Sequence, residues 1–307
     1  MTLATRAPAD APAPAPAPAA ASAAAPHASA GVAAAVRATR RRRRADATAT
    51  TVAAVWLAVL AVLTLVSIAT PLLDPYFQDF TAAKLGPSLA HPFGTDGNGR
   101  DVFARTVAGA QNSLVVAVIT LAVGAVGGTL IGVAAGYFRG ALDNVIGFLI
   151  DVVLAVPALI LIITIVSFRG PSIVSIGSTI GLLMVPAFAR VTRSIALTVR
   201  ERDYVKAALL IDTPTPRILV RSVLPAVAPA LVSYAFTAMT AAIVAEGSLS
   251  FLGYGLAAPA PSWGGIIAEG RSDLATAPWI TLAPAFALAA TVMAITTIGE
   301  RVKERYS

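Results

Sequence analysis

Cysteine is absent from the chain, which excludes disulfides, thiolate metal sites and thiol nucleophiles. Histidine is nearly absent: His27 and His91 lie in unrelated segments, so no histidine-based catalytic constellation can be assembled. Charge is scarce too. Only 13% of residues are Asp, Glu, Lys or Arg, against about 25% in an ordinary soluble domain. A water-soluble fold of this size could not cover its surface with so few. A Gly-x-x-x-x-Gly-Lys-Ser/Thr phosphate loop is also missing, so the chain carries no ATPase site of that kind.

Apolar sequence is abundant instead. Hydrophobic residues make up 57% of the 307 positions, and they fall in blocks of about 20, the length a helix needs to cross roughly 30 Å of hydrocarbon. Six blocks are predicted as spans: 51–70, 113–135, 145–167, 172–189, 226–246 and 280–298. Pro71 ends the first. Pro157 is expected to kink the third, which neighbouring helices tolerate in a membrane, and Gly177, Gly181 and Pro186 interrupt the fourth. The expected fold is an all-α polytopic membrane protein. Its organisation is a disordered tail over 1–50, a first helix and loop over 51–112, a transmembrane domain over 113–300 and a short end over 301–307. The tail expectation rests on the alternating Ala-Pro run from Ala11 to Pro18, which prevents helix propagation.

The net charge of +7 could suggest nucleic acid. Position argues otherwise, because the basic residues flank apolar blocks, beginning with Arg40 to Arg44 before the first. Most of the 23 Lys and Arg fall on the side shared by the tail, the 190–221 loop and the end of the chain. By the positive-inside rule that side is cytoplasmic, with both termini inside. Within the second block, Gly124, Gly128, Gly132 and Gly136 recur every fourth residue and are expected to let another helix pack closely.

The loop between the fourth and fifth blocks carries most information. Residues 189–212 read as a helix, with Tyr204, Ala207, Ala208 and Ile211 on one side and Arg200, Arg202 and Lys206 interspersed. Asp212 and Thr213 break it. Thr215 is expected to cap a second short helix with Pro216 in its first turn, and Pro225 to mark the start of span five. The result is a helix–turn–helix elbow on the cytoplasmic face, suited to docking a partner.

This segment resembles the coupling loop of ABC importer permeases, whose pattern is Glu-Ala-Ala, then Gly, then Leu-Pro. Ala207, Ala208, Leu224 and Pro225 fit at the family spacing, while Lys206 stands where Glu is usual and Asp212 where Gly is usual. Asp accepts a left-handed turn at modest cost, so the elbow is expected to survive. Other pieces resemble the C-type subunit of dipeptide and oligopeptide (and nickel) importers: His91 to Asp101, Gly109 to Ser113, Ala135 to Phe138, Ala245 to Gly253, Pro261 to Gly264 and Ala277 to Trp279. The resemblance runs from about residue 91 to residue 300.

That resemblance implies a type I importer permease fold in a bacterial plasma (inner) membrane. Its implied partners are a second homologous permease, two cytoplasmic ABC ATPases, an extracytoplasmic solute-binding protein and membrane lipid, with no nucleic acid. ATP is used by the partner subunits, and no cofactor or metal is expected on this chain. Coupling to the ATPases is assigned to Arg200, Asp203, Tyr204, Lys206, Ala207, Ala208, Asp212, Arg217, Leu224 and Pro225. An outer gate is assigned to Glu246, Ser248, Ser250 and Phe251. Dipeptides or oligopeptides are the implied cargo, with nickel complexes and glutathione as alternatives.

Several residues carry competing readings. Glu246 is either solvated at the interface or faces the translocation path. Asp151 reads as the hydrogen-bonded partner of a neighbouring helix, and Asp143 with Arg139 as a solvated inner turn. The His91-to-Asp101 segment reads as a structured loop whose glycines make turns, not a metal site. Trp263 and Trp279 read as an interfacial aromatic belt. An ion-driven secondary transporter is the rival function. A membrane-embedded enzyme lacks the convergent residues it would need.

Overall fold

The computed structural model describes residues 25–70 and 74–306. The chain divides into two compact units, Met1–Thr48 and Ala49–Ser307. In the first, the described residues are helical from Ala25, where α1 (Ala25–Ala69) starts. The disordered tail expected over 1–50 is therefore corrected over its second half. Pro26 is the last proline before Pro71, and the Ala- and Arg-rich stretch between them favours a helix once the Ala-Pro alternation stops. The alternating run itself, and Pro71, lie outside the described residues.

The second unit continues through α2 (Val102–Phe138), α3 (Ala141–Ala155), α4 (Ala158–Arg169) and α5 (Ile173–Arg200). Two short helices follow, α6 (Asp203–Leu210) and α7 (Thr215–Ile218), then α8 (Leu224–Phe251), α9 (Trp263–Glu269) and α10 (Trp279–Tyr306). Among the described residues β pairing is confined to an isolated bridge between Thr95 and Asp101. Among the described residues five helices are long and apolar enough to cross a membrane, and α3 with α4 makes a sixth if the bent pair counts as one span. The expected kink at Pro157 is a corner of 87°. Pro157 has no N–H to give, and Val156 before it is forced to extended backbone at φ −84°, ψ 131°.

The fourth block is not interrupted. α5 passes through Pro186 unbroken, and its glycines are notches for α2. A Cβ on Gly128 would stand 2.8 Å from the Val185 carbonyl oxygen and 2.9 Å from the Ala189 nitrogen, and one on Gly136 2.7 Å from Ala196 Cβ. Gly181 returns the fit, with Val123 Cβ at 2.7 Å from its own added Cβ. Backbones approach this closely only where side chains are missing, which replaces the hydrophobic drive that lipid removes. Thr120 adds a hydrogen bond to the Gly177 carbonyl at 3.0 Å.

Two cores close the ends of this α2–α5 pair. Val133, Tyr137, Ala196, Val199, Val205, Ile218, Val223 and Val227 cluster where α6 and α7 fold back. At the other end, Ala110, Ala117, Ile243, Trp263 and Ala287 form a second cluster with Leu60 and Ile295.

Candidate functional site

The single helix expected over 189–212 is divided: its first part is the end of α5, which stops at Arg200, and α6 starts at Asp203 after the cap residues Glu201 and Arg202. Asp212 takes the left-handed turn expected of it, at φ +51°, a conformation Asp reaches more readily than most residues with a Cβ. It ends α6 in the way a glycine would. Thr215 does not cap α7: Pro214 occupies that position and no side-chain cap bond forms. Nor does Pro225 start a new span. α7 runs through a π-helical turn over Leu219–Val223, where the Leu224 N–H donates to the Leu219 carbonyl, directly into α8. The wider turn accommodates the donor missing at Pro225 and keeps Thr215–Phe251 one helix of 37 residues.

The side chains sort into two faces. Val205 is fully buried, and Ala208 packs beside it against Val199, Ile218 and Val223. Tyr204 and Ile211, expected on the same side as Ala208, face away. Leu210 is 85% exposed and Ile211 77%, and Ala207, Leu209 and Tyr204 are exposed beside them. One face therefore locks the elbow to the bundle, while the other leaves an aliphatic tip exposed.

Charge around the elbow is organised by Arg139, the residue that caps the end of α2. Arg139 Nη2 pairs with Glu201 at 2.7 Å, and Lys206 Nζ lies 3.6 Å from the same carboxylate. The hydrogen bond from Arg139, then its charge and that of Lys206, hold the Glu201 carboxyl below its usual range. Arg200 stacks over the Tyr137 ring at 5.3 Å. Asp203, Arg217 and Leu224 are exposed. Arg139 and Asp143 flank the exposed turn between α2 and α3 as expected, and Asp143 in addition takes both nitrogens of a fork from Arg193 on α5. Asp151 does meet a neighbouring helix, through Arg190 at 2.9 Å.

The opposite end of the bundle differs from expectation at several residues. Glu246 is fully buried, neither solvated nor open to a path, and accepts from Ser113 Oγ at 2.8 Å and Ser250 Oγ at 2.7 Å. Ser248 and Phe251 border a groove of about 380 Å³ with Val244, Leu252, Gly264 and Leu288. Trp263 is not in an aromatic belt. It is wholly buried, with Nε1 donating to the Thr106 carbonyl at 3.0 Å. Trp279 donates to the Thr95 carbonyl at 3.1 Å. His91 pairs with Asp101 at 2.8 Å, and among the described residues no cluster of His, Asp and Glu is placed to hold a metal ion.

Sequence reasoning missed an ion cluster here. Asp96 accepts from Arg100 Nε at 2.7 Å and from Arg105, and Glu269 accepts from both arginines. Burial alone would raise the Asp96 carboxyl, but the Arg100 backbone N–H, the Arg105 charge and the Asn98 N–H hold it below its usual range. The signal was Arg105 itself, four residues after the capping Asp101 at the start of an apolar helix and too deep to be a loop residue.

Residues 128–306, more than half of the chain, match the family model described as "binding-protein-dependent transport system inner membrane component". The chain belongs to that family. Among curated relatives, this permease is 40% identical over 244 residues to a probable peptide ABC transporter permease of Sinorhizobium fredii, covering 79% of this chain and 84% of the relative. It is 33% identical over 251 residues to the glutathione transport system permease GsiD of Pectobacterium atrosepticum, covering 80% and 83%. A solved structure titled for inward-facing conformations of the MetNI methionine ABC transporter superposes with a TM-score of 0.54 at 16% identity, over 66% of this chain and 96% of that one. The fold is thus that of an ABC importer permease.

Proposed function

We propose that this permease is one of two membrane subunits that together form the path of an ATP-driven importer for dipeptides or oligopeptides. In this reading the elbow and both termini face the cytoplasm, and separate ATPases dock on Tyr204, Ala207, Leu210 and Ile211. A binding protein delivers solute at the opposite end. One observation carries the reading: an aliphatic tip left bare on an elbow whose other face is packed at Val205 and Val223 and which runs unbroken into α8. A solvated loop gains nothing from exposing Leu210 and Ile211. The peptide assignment draws on the Sinorhizobium relative's name, and glutathione, itself a small peptide, is the second reading on the strength of GsiD.

Leu210→Asp tests the docking. The variant is expected to insert normally and to lose bound ATPase on purification, because a charge replaces the most exposed apolar contact. Retained ATPase with normal coupling would falsify the reading. Uptake of labelled di- and tripeptides, with glutathione as competitor, separates the two cargo readings.

A further inference from the structure

Both hydroxyls that reach the buried Glu246 carboxylate donate to it. Ser250 Oγ donates to Oε1 while accepting from Ser262 Oγ at 3.1 Å, and Ser262 Oγ accepts from the Gly265 N–H at 3.1 Å. On the other arm, Ser113 Oγ donates to Oε2 while accepting from the Trp263 N–H at 3.4 Å. A backbone N–H can only donate. Both relays thus run from backbone donors of α9 to the two oxygens of Glu246. The position uses two acceptors on one side chain. A carboxylate supplies them, whereas the isosteric amide of Gln supplies one acceptor and one opposed donor.

Both relays begin in the first turn of α9 and tie it to α2 and α8. The backbones also meet, since a Cβ on Gly264 would stand 2.7 Å from Gly247 Cα. The far end of α9 is held by Glu269 on Arg100 and Arg105. α8 in turn is the upper part of the unbroken helix that starts in the elbow, about ten turns long at 3.6 residues each.

We propose that Glu246 is a positioning residue for transport: a two-armed latch that makes α9 move with α8, so that displacement of the elbow arrives at the opposite end of the bundle. The proposal rests on the reading of the elbow as the ATPase dock.

The complete transporter in proteoliposomes tests it, with labelled alanyl-alanine as probe solute. Glu246→Gln is expected to lower uptake per ATP hydrolysed about tenfold, roughly the weight of one hydrogen bond to a charged group, with the ATPases still bound. Adding Ser113→Ala removes the donor that the new amide opposes, so the double variant is expected to recover most of the loss. A packing role would give summed losses instead. Maleimide labelling of Ile266→Cys, a fully buried α9 position in a cysteine-free chain, is expected to rise in Glu246→Gln, and this readout requires no solute. Should Glu246→Gln fail to insert, Ser113→Ala and Ser250→Ala each open one arm and carry the same measurements. Unchanged uptake per ATP with unchanged labelling, or summed losses in the double variant, overturns the latch. If Leu210→Asp releases the ATPases while Glu246→Gln transports normally, the latch alone falls; if Leu210→Asp leaves them bound, the docking reading falls.

Discussion

Arg105 donates to both carboxylate oxygens of Glu269, at 2.7 and 3.1 Å, across 164 residues of sequence. The guanidinium is almost wholly buried and also serves Asp96, so it joins α2, the 94–101 loop and α9. Lys cannot reproduce this fork, because it offers a point charge on a flexible stem. Arg105→Lys is expected to destabilise the detergent-solubilised protein by about 3 kcal/mol, at the low end for breaking a buried ion pair. Glu269 is 43% exposed, so Glu269→Gln should cost clearly less. Thermal melts of the two variants check the order, and the reverse order would refute the clamp.

Acid should loosen the same region. The Asp96 carboxyl lies below its ordinary 3.8 in the folded protein, so the folded state binds that proton less readily than the unfolded state does. The stability it supplies is complete above the ordinary value and is lost as pH falls through the depressed one. Wild type is therefore expected to lose melting temperature below about pH 4. Asp96→Asn should start lower and show a flatter acid limb. Equal acid limbs would assign the loss to other carboxylates.

The α2–α5 seam predicts a contrast between adjacent glycines. At Gly128 an added Cβ meets backbone atoms of α5, which cannot step aside; at Gly127 it meets Val185 Cγ2 at 2.9 Å, the end of a side chain. Gly128→Ala is expected to cost about 1–3 kcal/mol by overpacking, and Gly127→Ala much less. Chemical denaturation in detergent compares them.

Lys206→Glu turns an attraction to Glu201 into a repulsion on a surface where both side chains are more than half exposed. Stability should change by under about 1 kcal/mol, as for other exposed pairs, because Arg139 still holds Glu201. ATPase binding, measured by co-purification at rising salt, should respond more strongly than melting temperature. A large melting shift would mean that Lys206 serves the fold and not the dock.

The membrane class, the apolar spans and the left-handed turn in the elbow were legible because each follows from a short-range rule: apolar block length, proline and glycine placement, and the left-handed tolerance of Asp212. The glycines of α2 also revealed their purpose, since spacing by four defines a helix face. What stayed hidden depends on chain reversals whose geometry no local pattern encodes. Glu246 looked like an interfacial charge until α9 folded back to cover it with Ser262 and Trp263. Helical spacing puts Tyr204 and Ala208 on one side, yet burial is decided at Val205, whose pocket is made by Ile218 and Val223 from beyond the turn. Pro225 looked like a boundary because the π-helical turn that absorbs it leaves no compositional trace.

The Thr215–Phe251 helix has a last consequence. At 1.5 Å per residue its 37 residues reach about 55 Å, nearly twice the roughly 30 Å of hydrocarbon. At the elbow end its Ile218, Val223 and Val227 are buried against Val133, Tyr137, Ala196, Val199 and Val205, so one face of this stretch is packed on protein. Under the proposed docking, the ATPase-facing end is therefore positioned by protein contacts, and reconstitution into thinner or thicker bilayers is expected to leave ATPase co-purification unchanged.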